Sequence, residues 1–335
     1  MKRFLLCGVL ASLTFTISTS SALAQDTCKN RGELDANYCD ENNDLVADLP
    51  KDKKKWKNPS TLVWAYTPVE DPAVYEKIFA PFTEHLAKCT AKKIVFFQVQ
   101  SNAAEIEAMR SGRLHVAGFS TGPTAFAVNV AGAVPFAVKG NEREFSGYNL
   151  IVITKASGAI QKLTDLKGKK VAHTSPSSNS GNMAPRALFP AEGVTPEKDY
   201  TVVYSGKHDS SVLGVMKGDY DAAPVASDVF ERMARRGQVK ESDFRVIYRS
   251  KKFPTSSFAH AHDLVPELAD KIQSCFYDYR FTPEMQKAFD GGDRFVPVNY
   301  KTTWEPVRAV AKAGGESFGK AAYQKEAERE AAAKK

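Results

Sequence analysis

Long apolar runs are nearly missing from this 335-residue chain. The one at the start, Phe4 to Thr16, is too short for a stable membrane span. It follows Lys2-Arg3 and precedes Ala22-Leu23-Ala24, a small-x-small site before Gln25. That order predicts a secretory leader over residues 1–25 and a periplasmic, soluble product. Cysteine is scarce as well, with five in all and Cys7 leaving with the leader. The sequence holds no CxxC pair and no Cys/His cluster, so no metal and no cofactor is expected. The GxSxG spacing common in exported serine hydrolases does occur, at Gly118-Phe119-Ser120-Thr121-Gly122 and at Gly315-Glu316-Ser317-Phe318-Gly319, so the motif by itself does not exclude that class. Loss of Lys2 and Arg3 takes the formal charge from +7 to +5. This mild excess suits small anions and does not demand a polyanion. The basic run Lys51 to Lys57 and the tail read as solvated surface, and no nucleic-acid partner is expected.

Four cysteines remain: Cys28, Cys39, Cys89 and Cys275. An even number in an oxidising compartment suggests two disulfides, with three possible pairings. Cys28–Cys39 is favoured because both lie in a polar segment with little other means of folding. Cys89–Cys275 then follows by subtraction and would tie an early helix to a late one.

What the chain does have is a stretch from His173 to Pro185, His-Thr-Ser-Pro-Ser-Ser-Asn-Ser-Gly-Asn-Met-Ala-Pro. A short strand, Lys169 to Ala172, leads into it and an apolar helix, Met183 to Phe189, leads out. Hydroxyls, amides and a glycine at a helix start can hold an anion, since first-turn N–H groups lack partners and the helix dipole is positive there. The ordinary alternative is a capped turn with nothing bound.

Elsewhere strands and helices alternate. Strands are expected at Leu62–Ala65, Lys93–Val99, Leu114–Gly118, Phe145–Thr154, Thr201–Tyr204, Phe244–Tyr248 and Phe253–His260. Helices are expected at Val74–Lys88, Asn102–Ser111, Ser211–Met216, Pro266–Phe289 and Thr302–Lys312. Such alternation predicts a mostly parallel α/β sheet with ligands beyond the carboxyl ends of its strands. After the third strand, Ser120-Thr121-Gly122-Pro123 forms a second candidate anion cradle. The alternation restarts near residue 156. Two α/β lobes follow, with crossings near Lys155 and Ser250. The first comprises 59–155 and 251–320, and the second 156–250. A polar, disulfide-pinned extension (26–58) precedes them and a charged tail (321–335) follows, expected to fray.

At this point the residues resemble a known family. Ser177-Ser178-Asn179-Ser180-Gly181 with Pro185 and Phe189, Gly206-Lys207-His208-Asp209, Gly218 to Ala223, and Gly147-Tyr148 are similar to motifs of the phosphate/phosphite/phosphonate-binding periplasmic proteins of ABC importers. The resemblance implies a two-lobed class II periplasmic binding-protein fold with a hinge and an interlobe cleft. By position it places Ser178, Asn179 and Ser180 on the phosphonate oxygens, with His208 as a further donor. Ser120 and Thr121 would contribute from the opposite lobe. Tyr148 matches a cleft tyrosine, and Asp228 an acid that receives the ammonium of aminoethylphosphonate. Phe119 stands where a second cleft tyrosine would align, and Ser256 where a second acid would.

The implied function is capture of a phosphonate, with 2-aminoethylphosphonate preferred, by a monomer that delivers it to a membrane permease. Phosphate, phosphite and methylphosphonate are the near alternatives. A hydrolase using Ser180 and His208 is the alternative of another class, and a receptor feeding a membrane sensor is a third. Among single residues, Tyr66 and Glu70-Asp71 follow the first strand and are candidates for the cleft wall. Glu142 and Glu144 are candidates for the missing second carboxylate. His260 and His262 read as strand alternation and are assigned no metal.

Overall fold

The computed structural model describes residues 28–289 and 291–332. The expected leader lies outside the described residues. The chain runs β1 (Thr61–Tyr66), α1 (Pro72–Thr90), β2 (Lys93–Phe96), α2 (Asn102–Arg110), β3 (Val116–Phe119), α3 (Thr121–Ala131) and β4 (Ala133–Gly140). It continues through β5 (Gly147–Lys155), β6 (Lys170–His173), α4 (Ala184–Leu188), β7 (Thr201–Tyr204), α5 (His208–Lys217), β8 (Ala222–Ala226), α6 (Ser227–Arg235) and β9 (Phe244–Pro254). Then come β10 (Ser257–Ala261), α7 (Pro266–Asp278), α8 (Pro283–Ala288), β11 (Arg294–Pro297), α9 (Tyr300–Thr303), α10 (Glu305–Ala313) and α11 (Lys320–Ala332).

Two mixed sheets result, ordered β11-β4-β10-β3-β1-β2 and β7-β6-β8-β5-β9. Each has a parallel half, β2-β1-β3 and β7-β6-β8, extended by antiparallel strands. The first lobe's core follows from helix α1. Asp71 caps it by accepting from Ala73 N, Pro72 fills its first position, and Tyr75, Phe79, Phe82 and Leu86 recur on one buried face. That face meets Trp64 of β1, edge-on to Phe79 and Phe82. Phe82 also packs edge-on against Phe276 of α7, and the Cys89–Cys275 disulfide joins the same two helices. Cys28 pairs with Cys39, so both favoured pairings are those formed.

The lobe boundaries differ from the sequence expectation. β5 and β9 are paired to each other inside the second sheet, so Lys155 and Ser250 lie within that lobe. The chain changes sheets instead between Gly140 and Gly147 and between Pro254 and Ser257. Thr255 N donates to Ser146 O at 3.2 Å, tying the two crossings side by side. The reason is non-local, because a strand's lobe is fixed by partners about a hundred residues away.

The termini also differ. The extension after Cys28 docks on the end of α3, with Asp35 N on Asn129 O at 2.7 Å and Tyr38 edge-on to His262. The tail does not fray over the described residues. It forms α11, whose Tyr323 packs against Phe126 and donates to Ala103 O at 3.1 Å. With α2 and the sheet, these covers leave every residue of α3 buried. The expected single helix from Pro266 to Phe289 is broken at Tyr279–Thr282, where Tyr279 turns extended and Thr282 caps a new helix.

Candidate functional site

β6 delivers the chain into the hydroxyl-rich stretch. Asn179–Met183 forms a π-helical turn, and Ser178 is its N-cap, accepting from Gly181 N at 3.1 Å. Gly181 is required here, since a Cβ would lie 2.3 Å from Thr174 Oγ1. Behind the turn, Asn182 Nδ2 donates to Pro176 O at 2.6 Å. Its Oδ1 therefore faces the Nδ1–H of His173 at 2.8 Å, and His173 Nε2 takes the hydroxyl proton of Tyr200 at 2.9 Å. These buried groups brace the loop from beneath.

His208, the first residue of α5, sits beside the turn. Its Nδ1 accepts from Ala226 N at 3.3 Å and faces Thr174 Oγ1 at 3.1 Å. The ring proton is then on Nε2, 3.4 Å from Ser178 Oγ. Ser178 Oγ thus receives two N–H groups and keeps its own proton to give to the cleft. Burial pushes His208 down to about 4, so the ring is a neutral donor. Tyr148, buried on β5, accepts from Asn179 Nδ2 at 3.1 Å, and desolvation pushes its phenol up to about 12.

The first lobe faces this cradle with the start of α3. Its N-cap, Ser120, makes no side-chain cap bond. Pro123 has no N–H and Thr124 N bonds Ser120 O, so the amides of Thr121 and Gly122 are the first-turn donors without an intrahelical partner. Thr121 spends its hydroxyl proton on Pro254 O at 2.9 Å. The lobes are in contact: Asn102 Nδ2 reaches Ser175 and Ser177 Oγ at 3.3 Å, and His208 N donates to Val69 O at 3.2 Å. The cavity between them is small, ≈ 40 Å³, room for about three waters.

Ser120, Thr121, Ser178, Asn179, Ser180, His208, Tyr148, Asp228, Tyr66 and Ser256 all line that cavity. Phe119 does not. It is wholly buried in the first lobe, paired with Ser257 across the sheet, and its carbonyl accepts from Thr124 Oγ1. Glu70 lies behind the wall in ion pairs, and Asp71 is spent on capping α1. Glu142 and Glu144 are exposed, facing Arg294 and Lys252. His260 is a core histidine held by Ala261 O and Gln273. Asp228 is in the first turn of α6, 3.5 Å from Arg232 Nη1. Thr174 and Ser175 of the hydroxyl-rich stretch line the cavity too, whereas sequence reasoning missed Lys139, Asn102, Arg232, Thr255 and Phe289. For Lys139 there was a signal, a lone cation closing the apolar run from Ala131 to Val138.

A pH effect follows from the bracing. Burial lowers His173 and His208 to about 4, against an ordinary histidine value near 6.5. Both are neutral when folded and take up a proton more readily when unfolded. Their contribution is full above about pH 6.5 and is lost as pH falls through 4, at up to about 1.4 kcal/mol per pH unit for each. Buried Glu105, pushed well above its ordinary value by desolvation, works against one of them over part of this range. Melting temperatures should fall steadily from about pH 6.5 to about pH 4.5. A flat profile there would show that these rings are not buried neutral.

The model of the family described as "ABC transporter, phosphonate, periplasmic substrate-binding protein" matches residues 64–303. The chain belongs to this family. It is 30% identical over 243 residues to the phosphate-import protein PhnD of Mycolicibacterium smegmatis, covering 69% of this chain and 75% of that one. Among solved structures, the binding-protein component of a phosphonate transporter from Pseudomonas aeruginosa superposes with a TM-score of 0.68 at 19% identity, covering 82% of this chain and 96% of that one. PhnD1 of Prochlorococcus marinus in complex with methylphosphonate gives 0.69 at 16% identity, covering 78% and 100%. The two-lobed periplasmic binding-protein fold implied by the motifs is therefore the fold of this chain, and the family is one of transport proteins rather than enzymes.

Proposed function

We propose that this protein captures a small phosphorus oxyanion in the periplasm and presents it to an ABC permease by closing its two lobes. The observation that carries this is the pairing of the open first turn of α3 with the Ser178–Ser180 cradle across a cavity of only a few water volumes. A tetrahedral anion needs many oriented donors, and hydrogen bonds to a charged group contribute about 1.5–3 kcal/mol each. Ser178, oriented by His208, would donate with Asn179 and Ser180 from one side, and Ser120 and the backbone amides of Thr121 and Gly122 from the other. Tyr148 and Tyr66 would form the walls. Closure of a domain hinge is the change a permease can read.

The small cavity and the Asp228–Arg232 pair favour phosphate, phosphite and methylphosphonate. Aminoethylphosphonate is the second reading, supported by Asp228 at the cavity wall. Asp228 already faces Arg232, however, and a ligand ammonium would compete for it. Calorimetric titration with all four should give Kd values of about 1 µM or tighter for one of the first three, and weaker binding of the aminoethyl compound. Tightest binding of aminoethylphosphonate would favour the second reading, and no binding of any would remove the proposal. The hydrolase alternative has little support, since His208 has no carboxylate orienter and burial makes it a weak base.

A further inference from the structure

Lys139, near the end of β4, is 4% exposed and lines the cleft. Its ammonium donates to the hydroxyl of Tyr66 and lies over three rings, 4.7 Å from Phe289, 4.9 Å from Tyr66 and 5.9 Å from Phe258. Asp228, which lines the same cavity, faces Arg232, and Glu144 faces Lys252. Among the described residues no ion pair joins Lys139 to a carboxylate. Arg232 and Arg236 are matched by Glu70 and Asp228, so Lys139 is the charge left over in the cleft. An ammonium buried without an anion is costly, and ring faces offset only part of that cost.

We infer that Lys139 is the charge partner of the bound oxyanion and selects for ligands carrying more than one negative charge. This rests on the oxyanion reading above and deepens it. The side chain acts from the hinge end of the cleft, where β4 leads into the crossing. It also acts through a chain of hydroxyls: Tyr66 accepts from Lys139 and donates to Ser256 Oγ at 3.3 Å. The Ser256 proton is then free for the ligand. Without ligand the ammonium destabilises the closed form, and with ligand it holds the lobes together.

Lys139→Met keeps the aliphatic stem within the aromatic box and removes the charge. Affinity for methylphosphonate should fall about 100-fold by calorimetry, the magnitude of one strong charge-assisted contact. Affinity for methanesulfonate, a near-isosteric ligand limited to one negative charge, should change by less than about 5-fold on the same scale. The wild type should therefore discriminate strongly between the two ligands and the variant weakly. The ligand-free melting temperature of the variant should equal or exceed that of the wild type, while its rise on adding methylphosphonate shrinks. Unchanged methylphosphonate affinity would overturn the inference, as would a ligand-free variant that melts lower or does not fold, which would make Lys139 a packing residue. Equal wild-type affinity for both ligands overturns it without any variant. Failure of the wild type to bind any phosphorus oxyanion would sink the underlying reading instead.

Discussion

Gly122→Ala should abolish tight ligand binding while leaving the ligand-free protein folded. Gly122 is in the first turn of α3, in the first lobe, and a Cβ there would lie 2.2 Å from Ser177 O and 3.0 Å from Asn179 N, in the second. Both are backbone atoms of the cradle, so no side-chain rotation relieves the clash. Its φ lies outside the left-handed region, and alanine is otherwise acceptable in a helix. The strain therefore belongs to lobe contact, not to the fold. Opening the lobes to admit one methyl group withdraws the α3 amides from an anion held by Ser178–Ser180. Loss of two charge-assisted hydrogen bonds predicts a fall of about 100-fold or more in oxyanion affinity. The ligand-free melting temperature should change by only a few degrees, about what 1 kcal/mol or less produces. Calorimetry and small-angle scattering with and without methylphosphonate measure both halves. Wild-type affinity with ligand-induced compaction would show that the lobes do not close through this contact.

What the sequence made legible was local chemistry. The cradle could be read because its parts are contiguous: Ser178 caps a turn that Gly181 permits, and His208 begins the next helix at a strand exit. The buried face of α1 could be read from its spacing. Four cysteines left three possible disulfide pairings, and the polar setting of Cys28 and Cys39 favoured the one that forms. What escaped was set by distant partners. β5 was recognised as a strand, but its lobe depends on pairing with β9, a property of no local window. β4 was not anticipated, although it pairs β10 and carries Lys139. Asn102 looks like the start of a helix and becomes a lobe bridge only when Ser175 and Ser177 come to face it. The tail has the composition of a frayed helix, and a single aromatic, Tyr323, docks it. Phe119 was placed in the cleft by resemblance, and pairing with β10 puts it in the core instead.

Glu70→Gln should weaken closure by the loss of a buried charge that spans the lobes. Glu70 follows β1 in the first lobe, and its carboxylate accepts from Arg232 Nε at 2.8 Å and Arg236 Nη1 at 3.0 Å, both on the second-lobe segment that begins with α6. Tyr75 donates to the same carboxylate at 2.6 Å, and Arg232 also reaches Ala288 O at 3.4 Å. Arg232 and Glu70 are only 4% and 3% exposed, so water cannot substitute for either partner while the cleft is shut. Removing one member of a buried pair typically costs about 3–5 kcal/mol, because the survivor is left uncompensated. In an open cleft Arg232 can hydrate, so most of that cost falls on the closed state. The expected result is a loss of at least about 100-fold in oxyanion affinity with a modest change in ligand-free melting temperature. The double variant Glu70→Gln/Arg232→Met removes the stranded guanidinium, and apolar replacement of a buried pair is often neutral or better. It should recover most of the affinity lost by the single variant. Wild-type affinity in Glu70→Gln would show that the ion pair does not report lobe position. A large drop in melting temperature with no change in affinity would assign it to static stability within an already rigid molecule.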